Sequence, residues 1–339
     1  MQINIFAEDS RLARLSELGD KLETITNAPI CWEKIVGALE RYLPDRTQTR
    51  KGGRPPISKL LLFKITLLKK WYGLSNESAE YQINDRLSFQ RVLGLSLSDR
   101  VPDSNTIRMF EEALNQTGAD LEIFYLFVEE MEKMGIVTHT GSIVDATFVE
   151  APRQRNSREE NKRIKEGAIP EERKDKKKAH KDTDARWTKK NEVTYYGYKD
   201  HINVDKDSKI ITDFRVTDAS VHDSREMTEL INESDKEMWF DSAYVSEDLR
   251  KAAIKKNSEV KLHINEKGYK GKPLTDEQKE NNRIKSKVRA RVEHVNGNMT
   301  VCGRLFVRTI GMLRAETYIC LKNLAYNISR FSFLANKAA

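Results

Sequence analysis

From about residue 140 to residue 264 the apolar residues follow one order: three strands in succession, then helix, strand, helix, strand. The strands are read at Gly141–Val149, Tyr195–Val204, Lys209–Val216, Lys236–Asp241 and Val260–Ile264, and the helices at Ser224–Asn232 and Ser246–Lys256, the latter capped by Ser246. The second and third strands join through the short turn Asp205-Lys206-Asp207-Ser208, which suits an antiparallel pair. The later strands are separated by helices, and such crossovers suit parallel pairing. The pattern therefore constrains this half of the chain to a five-stranded mixed sheet flanked by helices.

Before residue 136 the pattern is helical. Residues 1–50 read as mixed helix, ending in the basic segment Arg46–Arg54, and Gly52-Gly53-Arg54-Pro55-Pro56 breaks the chain. Helix 58–72 follows, with Leu60, Leu61, Ile65 and Leu68 as its apolar stripe and lysines on the remaining surface. Helices at 75–85, 88–93, 106–114 (capped by Ser104 or Asp103) and 119–134 complete an all-α region at 1–135, against a mixed α/β region at 136–339. Short helices with tight turns in a basic region suit a helix-turn-helix reader of DNA, with Arg54, Asn105 and Arg108 as its contacts. A plain helical bundle with solvated charges is the other reading. Inside the α/β region, residues 152–194 are strongly charged and basic. They form either a mobile insertion or an arm that orders on DNA.

Net charge of +7 and a pI near 9.0 make a polyanion a natural partner. Hydrophobic content of 38% is enough for a packed core and excludes a disordered chain. Cys31, Cys302 and Cys320 are scattered, with neither metal-binding nor disulfide spacing. The first twenty residues hold no apolar signal core, and the run Leu60–Leu68 is too short and too lysine-flanked to span a bilayer. A cytoplasmic, nucleoid-associated protein is expected.

Three carboxylates then stand out by context. Asp145 and Asp241 each close an apolar strand, in Ser142-Ile143-Val144-Asp145 and Trp239-Phe240-Asp241, and Glu293 lies mid-helix in Arg289-Ala290-Arg291-Val292-Glu293. If the fourth strand pairs with the first, both aspartates reach one sheet edge. On the late helix, Ile284, Val288, Val292, Val295 and Met299 mark a buried stripe, and Arg289, Glu293 and Asn296 share the adjoining face. Carboxylates so grouped can hold a pair of Mg2+ ions for phosphoryl transfer. Taken alone, Arg289 and Glu293 are equally an ordinary ion pair four residues apart on a helix.

In these residues the chain resembles the DDE transposases of bacterial insertion sequences, in the superfamily grouped around insertion sequences five and four. The steps are 96 positions (241 − 145) and 52 (293 − 241), and the second leaves no room for the large β-rich insertion some relatives carry there. The family's helix motif is Tyr, two residues, Arg, three residues, Glu, six residues, Lys. Arg289 and Glu293 match, whereas Ser286 and Thr300 replace the Tyr and the Lys. Tyr196-Gly197-Tyr198-Lys199-Asp200-His201 is similar to the family's second strand. The resemblance implies an RNase H-like core in which Asp145, Asp241 and Glu293 hold two Mg2+ ions, with Mn2+ able to substitute. It implies cleavage at the element's ends and transfer of the freed 3′-OH into target DNA. The implied partners are double-stranded DNA, as terminal inverted repeats and target, and a second copy of the chain on paired ends. Arg289 would hold a phosphate, and Lys199, His201 and Asn296 would touch the substrate. For Lys199 and His201, solvated positions on an exposed strand face are the alternative. An RNase H-like nuclease without strand transfer, or an inactive DNA-binding descendant, are the competing functions.

Overall fold

The computed structural model describes residues 7–44, 56–154, 157–166, 180–190, 192–226, 228–242, 247–269, 271 and 273–338. The chain divides into two compact units, residues 1–130 with 321–339, and residues 131–320.

The first unit is helical. It contains α1 (Ala7–Glu17), α2 (Lys21–Asn27), α3 (Trp32–Tyr42), α4 (Lys59–Tyr72), α5 (Asn76–Asp85), α6 (Leu87–Leu93), α7 (Ser104–Thr117) and most of α8 (Ala119–Lys133). Polar caps set the starts of these helices. Asp20, Ser58, Ser75 and Asp103 each accept a backbone N–H of the first turn. Gly73, Gly94 and Gly118 take the left-handed conformation that ends α4, α6 and α7. Phe63, Leu39, Phe89, Ile107, Leu114 and Phe124 are among the fully enclosed side chains. One expectation is corrected here: the lysines of α4 do not all face water. Lys69 and Lys70 are buried and both bond Glu111, at 2.5 and 2.8 Å. Two cations on one carboxylate keep this burial tolerable. Burial and the neighbouring Lys70 still lower the Lys69 ammonium to about 8.

The second unit carries the sheet. Among the described residues it has six strands rather than five: β1 (Ser142–Glu150), β2 (Arg186–Lys190), β3 (Val193–Asp205), β4 (Ile211–Asp218), β5 (Glu237–Phe240) and β6 (Lys261–Ile264). β3 pairs antiparallel with β1, β2 and β4, whereas β5 runs parallel to both β1 and β6. This mixed order, with helices flanking the sheet, is the RNase H-like layout. The additional strand, β2, lies in the charged 152–194 stretch, which also holds α9 (Arg158–Lys165) behind a Ser157 capping box. An edge strand written Arg-Trp-Thr-Lys-Lys offers little apolar alternation to read. The remaining helices are α10 (Asp223–Glu226), shorter than expected, α11 (Glu247–Lys256), α12 (Asp276–Val301) and α13 (Met312–Ala338), whose residues from Leu321 onward count with the helical unit. The expected cap Ser246 lies outside the described residues.

Two glycines mark close approaches in the sheet. Gly197 sits in β3 at φ +147°, and a Cβ there would collide with the Val149 carbonyl of β1. Gly141, just before β1, lies against the Trp239 ring.

Candidate active site

The placement of Asp145 and Asp241 follows from strand register. β1 and β5 pair in parallel at Ser142↔Met238 and Ile143↔Trp239. Each aspartate stands two positions beyond the second pair, so both leave the same side of adjacent chains. Asp241 follows the last residue of β5, as expected. Asp145 is not at a strand end: β1 continues to Glu150, and only its pairing with β5 stops near Asp145.

Helix α12 comes in against both strands. It starts at a Thr275–Gln278 capping box, with Asp276 and Glu277 favourable in its first turn. Val292, Val295 and Met299 are buried, but Ile284 is exposed and Val288 half-buried, so the apolar stripe seats only the later part of the helix. That part delivers the polar face. Arg289 places Nη1 3.2 Å from Asp241 Oδ1 and Nη2 3.7 Å from Asp145 Oδ1. Asn296 Nδ2 donates to Asp145 Oδ2 at 3.0 Å. Glu293 lies between these two on the same helical face, and its side chain is exposed. Among the described residues, Arg289 Nε and Asn296 Oδ1 are buried with no hydrogen-bond partner.

The electrostatics here are asymmetric. Burial pushes the Asp145 carboxyl up to about 6, against the opposing pull of Arg289, the Ala146 backbone N–H and Lys190, while Asp241 adds to the rise. Asp241 is more open and also accepts the Ser242 N–H at 2.7 Å. Carboxylates are hard, acceptor-only ligands, so the donor set suits Mg2+ or Mn2+. Among the described residues no three acidic, His or Cys side chains stand close enough to hold one ion. The convergent pair is Asp145 and Asp241, with a guanidinium spanning it.

The other sequence candidates are placed differently. Lys199 and His201 are buried, at 8% and 1% exposure, not on an open strand face. Lys199 donates to the Val221 carbonyl at 2.6 Å and pairs with Asp223 at 2.8 Å. His201 Nε2 meets the Thr217 hydroxyl at 2.9 Å, and burial drives its imidazole down to about 4, so the ring is neutral. Both side chains serve the sheet interior, and neither offers DNA a surface in this arrangement. Asp223 is the first residue of α10 and the partner of Lys199. Among other acids of the sheet, Asp218 accepts the Ser220 backbone N–H, and Asp200 is fully buried. His294 is exposed beside Lys209. Ser286, at the motif's Tyr position, accepts Asn265 Nδ2 at 3.1 Å, and Thr300 donates to the Asn296 carbonyl. In the first unit, Asn105 and Arg108 are exposed at the start of α7, with Arg108 donating to Asn105 Oδ1 at 2.9 Å. Arg54 lies outside the described residues. Sequence reasoning did not single out Lys190, whose charge reaches Asp145, because it sits in a run of lysines with nothing to distinguish it.

The family described as Transposase DDE domain matches residues 137–328, more than half of the chain. The chain belongs to the DDE-domain transposases. A second description, Transposase domain (DUF772), covers residues 7–113 of this transposase, most of its helical unit. The chain is also similar to a solved structure titled "Cryo-EM structure of piggyBac transposase synaptic complex with hairpin DNA (SNHP)", at 9% identity and a TM-score of 0.48. That likeness covers 94% of this chain and 75% of the other. Among the described residues, no helix of this transposase is long and apolar enough to cross a membrane.

Proposed function

We propose that this transposase cleaves DNA at the ends of its insertion sequence and transfers the freed 3′-OH into target DNA, with divalent metal ions held by Asp145, Asp241 and Glu293. The observation that carries the reading is the convergence of Asp145 and Asp241 on Arg289, the residue one helical turn before Glu293. When bound, Mg2+ or Mn2+ would supply activation of the attacking oxygen and charge neutralisation at the leaving one. The chain's own residues do the rest. Asn296 orients Asp145 through Oδ2, and Arg289 balances the aspartate charges. On DNA, Arg289 would turn to the scissile phosphate, whose geometry suits a guanidinium. Glu293, exposed on the same face, would join the aspartates as that contact is exchanged. The helical unit, with exposed Asn105 and Arg108, would read the element ends, and a homodimer on paired ends belongs to the same reading.

The test is strand cleavage and joining on labelled DNA carrying the element's ends, with Mg2+. The wild type should nick and join, and Asp241→Ala should lose both by at least about a thousandfold while still binding DNA, since removing a carboxylate lowers repulsion toward phosphate. Equal activity in the variant would sink the assignment, as would a wild type that neither nicks nor joins.

A further inference from the structure

Helix α12 is held on both flanks of its buried stripe, and only one flank belongs to the carboxylate site. At about 100° per residue, Val292, Val295 and Met299 fall together, and Arg289, Glu293 and Asn296 leave on one side of them. Arg291 leaves on the other side. Its Nη1 donates to the Lys206 carbonyl at 2.6 Å and to Asp207 Oδ1 at 3.0 Å. Both acceptors belong to the turn that joins β3 to β4.

That turn is firmly built. Asp205 is buried, and its Oδ1 accepts the Asp207 and Ser208 N–H groups at 3.1 and 2.7 Å and the Ser208 hydroxyl at 2.6 Å. The Lys206 N–H donates to the Gly141 carbonyl at 2.8 Å, and the Thr140 hydroxyl donates to Asp207 Oδ2 at 3.0 Å. These two bonds tie the turn to the entry of β1. The Lys206 ammonium lies 5.0 Å from the centre of the Trp239 ring, which stacks on His263 at 4.7 Å. Trp239 is two positions before Asp241 on the same face of the chain. The turn that receives Arg291 is therefore fixed against both strands that lead to the aspartates.

Apolar contacts have no direction, so the buried stripe alone does not set the rotation of α12. Bonds on its two flanks do. When Arg289 turns to a phosphate, the site flank gives up its contact with Asp241, and Arg291 keeps its hold. We propose that Arg291 is a positioning residue: its grip on Lys206 and Asp207 fixes the rotation of α12 at which Arg289, Glu293 and Asn296 face Asp145 and Asp241. The proposal rests on the DNA-cleaving reading above for the step that this positioning serves. A direct phosphate contact is the competing role for a half-buried arginine, and Asp207 separates the two. Removing that carboxylate frees Arg291, which helps a DNA contact and harms a positioning one.

The experiment is single-turnover nicking of labelled element-end DNA with Mg2+ over a range of protein concentrations. Arg291→Ala should lower the saturated rate about tenfold and leave the half-saturating concentration within about twofold, and Arg291→Lys should recover most of the rate. Asp207→Ala should also slow nicking, and the double variant should be no slower than Arg291→Ala alone. A wild-type rate in Arg291→Ala would overturn the proposal. So would a loss confined to the half-saturating concentration, or faster nicking in Asp207→Ala. Amide hydrogen exchange, without DNA or metal, reads the same grip: peptides within 286–300 should exchange about tenfold faster in Arg291→Ala, and those of α13 at the wild-type rate. Unchanged exchange over 286–300 would likewise overturn it. Because exchange involves no cleavage, failure of the grip is separable from failure of the carboxylate site, which wild-type nicking reads by itself.

Discussion

Asp145 holds its charge against its surroundings. Its carboxyl sits near 6 in the folded chain, against 3.8 for the ordinary group, chiefly because it is buried. A raised carboxyl pKa favours the folded state only while the group is protonated. That contribution is fully present below about 3.8 and lost as pH rises through about 6. At neutral pH the ionised Asp145 therefore costs stability, which a metal ligand must accept to stay deprotonated. Asp145→Asn should raise stability by about 1–2 kcal/mol at pH 7.5 in metal-free buffer, with the advantage shrinking toward zero near pH 4. Thermal midpoints of the two proteins across that range check this, and a gain independent of pH would contradict it. The sequence made the three carboxylates visible through order and context, and it made Arg289 and Asn296 visible through helical spacing. It did not reveal that Lys199 and His201 are interior, because their strand reads as alternating whichever face is covered.

Among the elements, β3 is where the site's geometry is set, since it carries β1 on one side and receives β2 and β4. Gly197 permits that crowding. Its φ of +147° and its approach to the Val149 carbonyl leave no room for a side chain. Gly197→Ala should cost about 2–4 kcal/mol. Gly37, inside α3 with open space around its Cα, provides the contrast: Gly37→Ala should be neutral or stabilising by up to about 1 kcal/mol. Urea midpoints of both variants read the difference, and similar effects at the two positions would refute the account of β3. Most elements were legible because caps and apolar periods agree, as at Ser58, Ser75 and Asp103. β2 was not, since a charged edge strand lacks an apolar face to betray it. The early part of α12 misled in the opposite sense: Ile284 continues the stripe in sequence while facing solvent in the fold.

For the whole molecule, two descriptions of transposase regions fall on the two units almost separately, one over residues 7–113 and one over 137–328. The helical unit is built from well-capped short helices around a closed core, and the sheet unit brings together carboxylates 96 residues apart in the chain. A basic chain of +7 suits a polyanionic substrate, and the acidic pair stands out locally against that field. The central claim is that Asp145, Asp241 and Glu293 act together on metal when DNA is bound. Electron paramagnetic resonance titration of Mn2+ in the presence of element-end DNA tests this most directly. The wild type should bind Mn2+, and binding should weaken at least about tenfold in each of Asp145→Asn, Asp241→Asn and Glu293→Gln. Mn2+ binding by all three variants as tight as the wild type would contradict it.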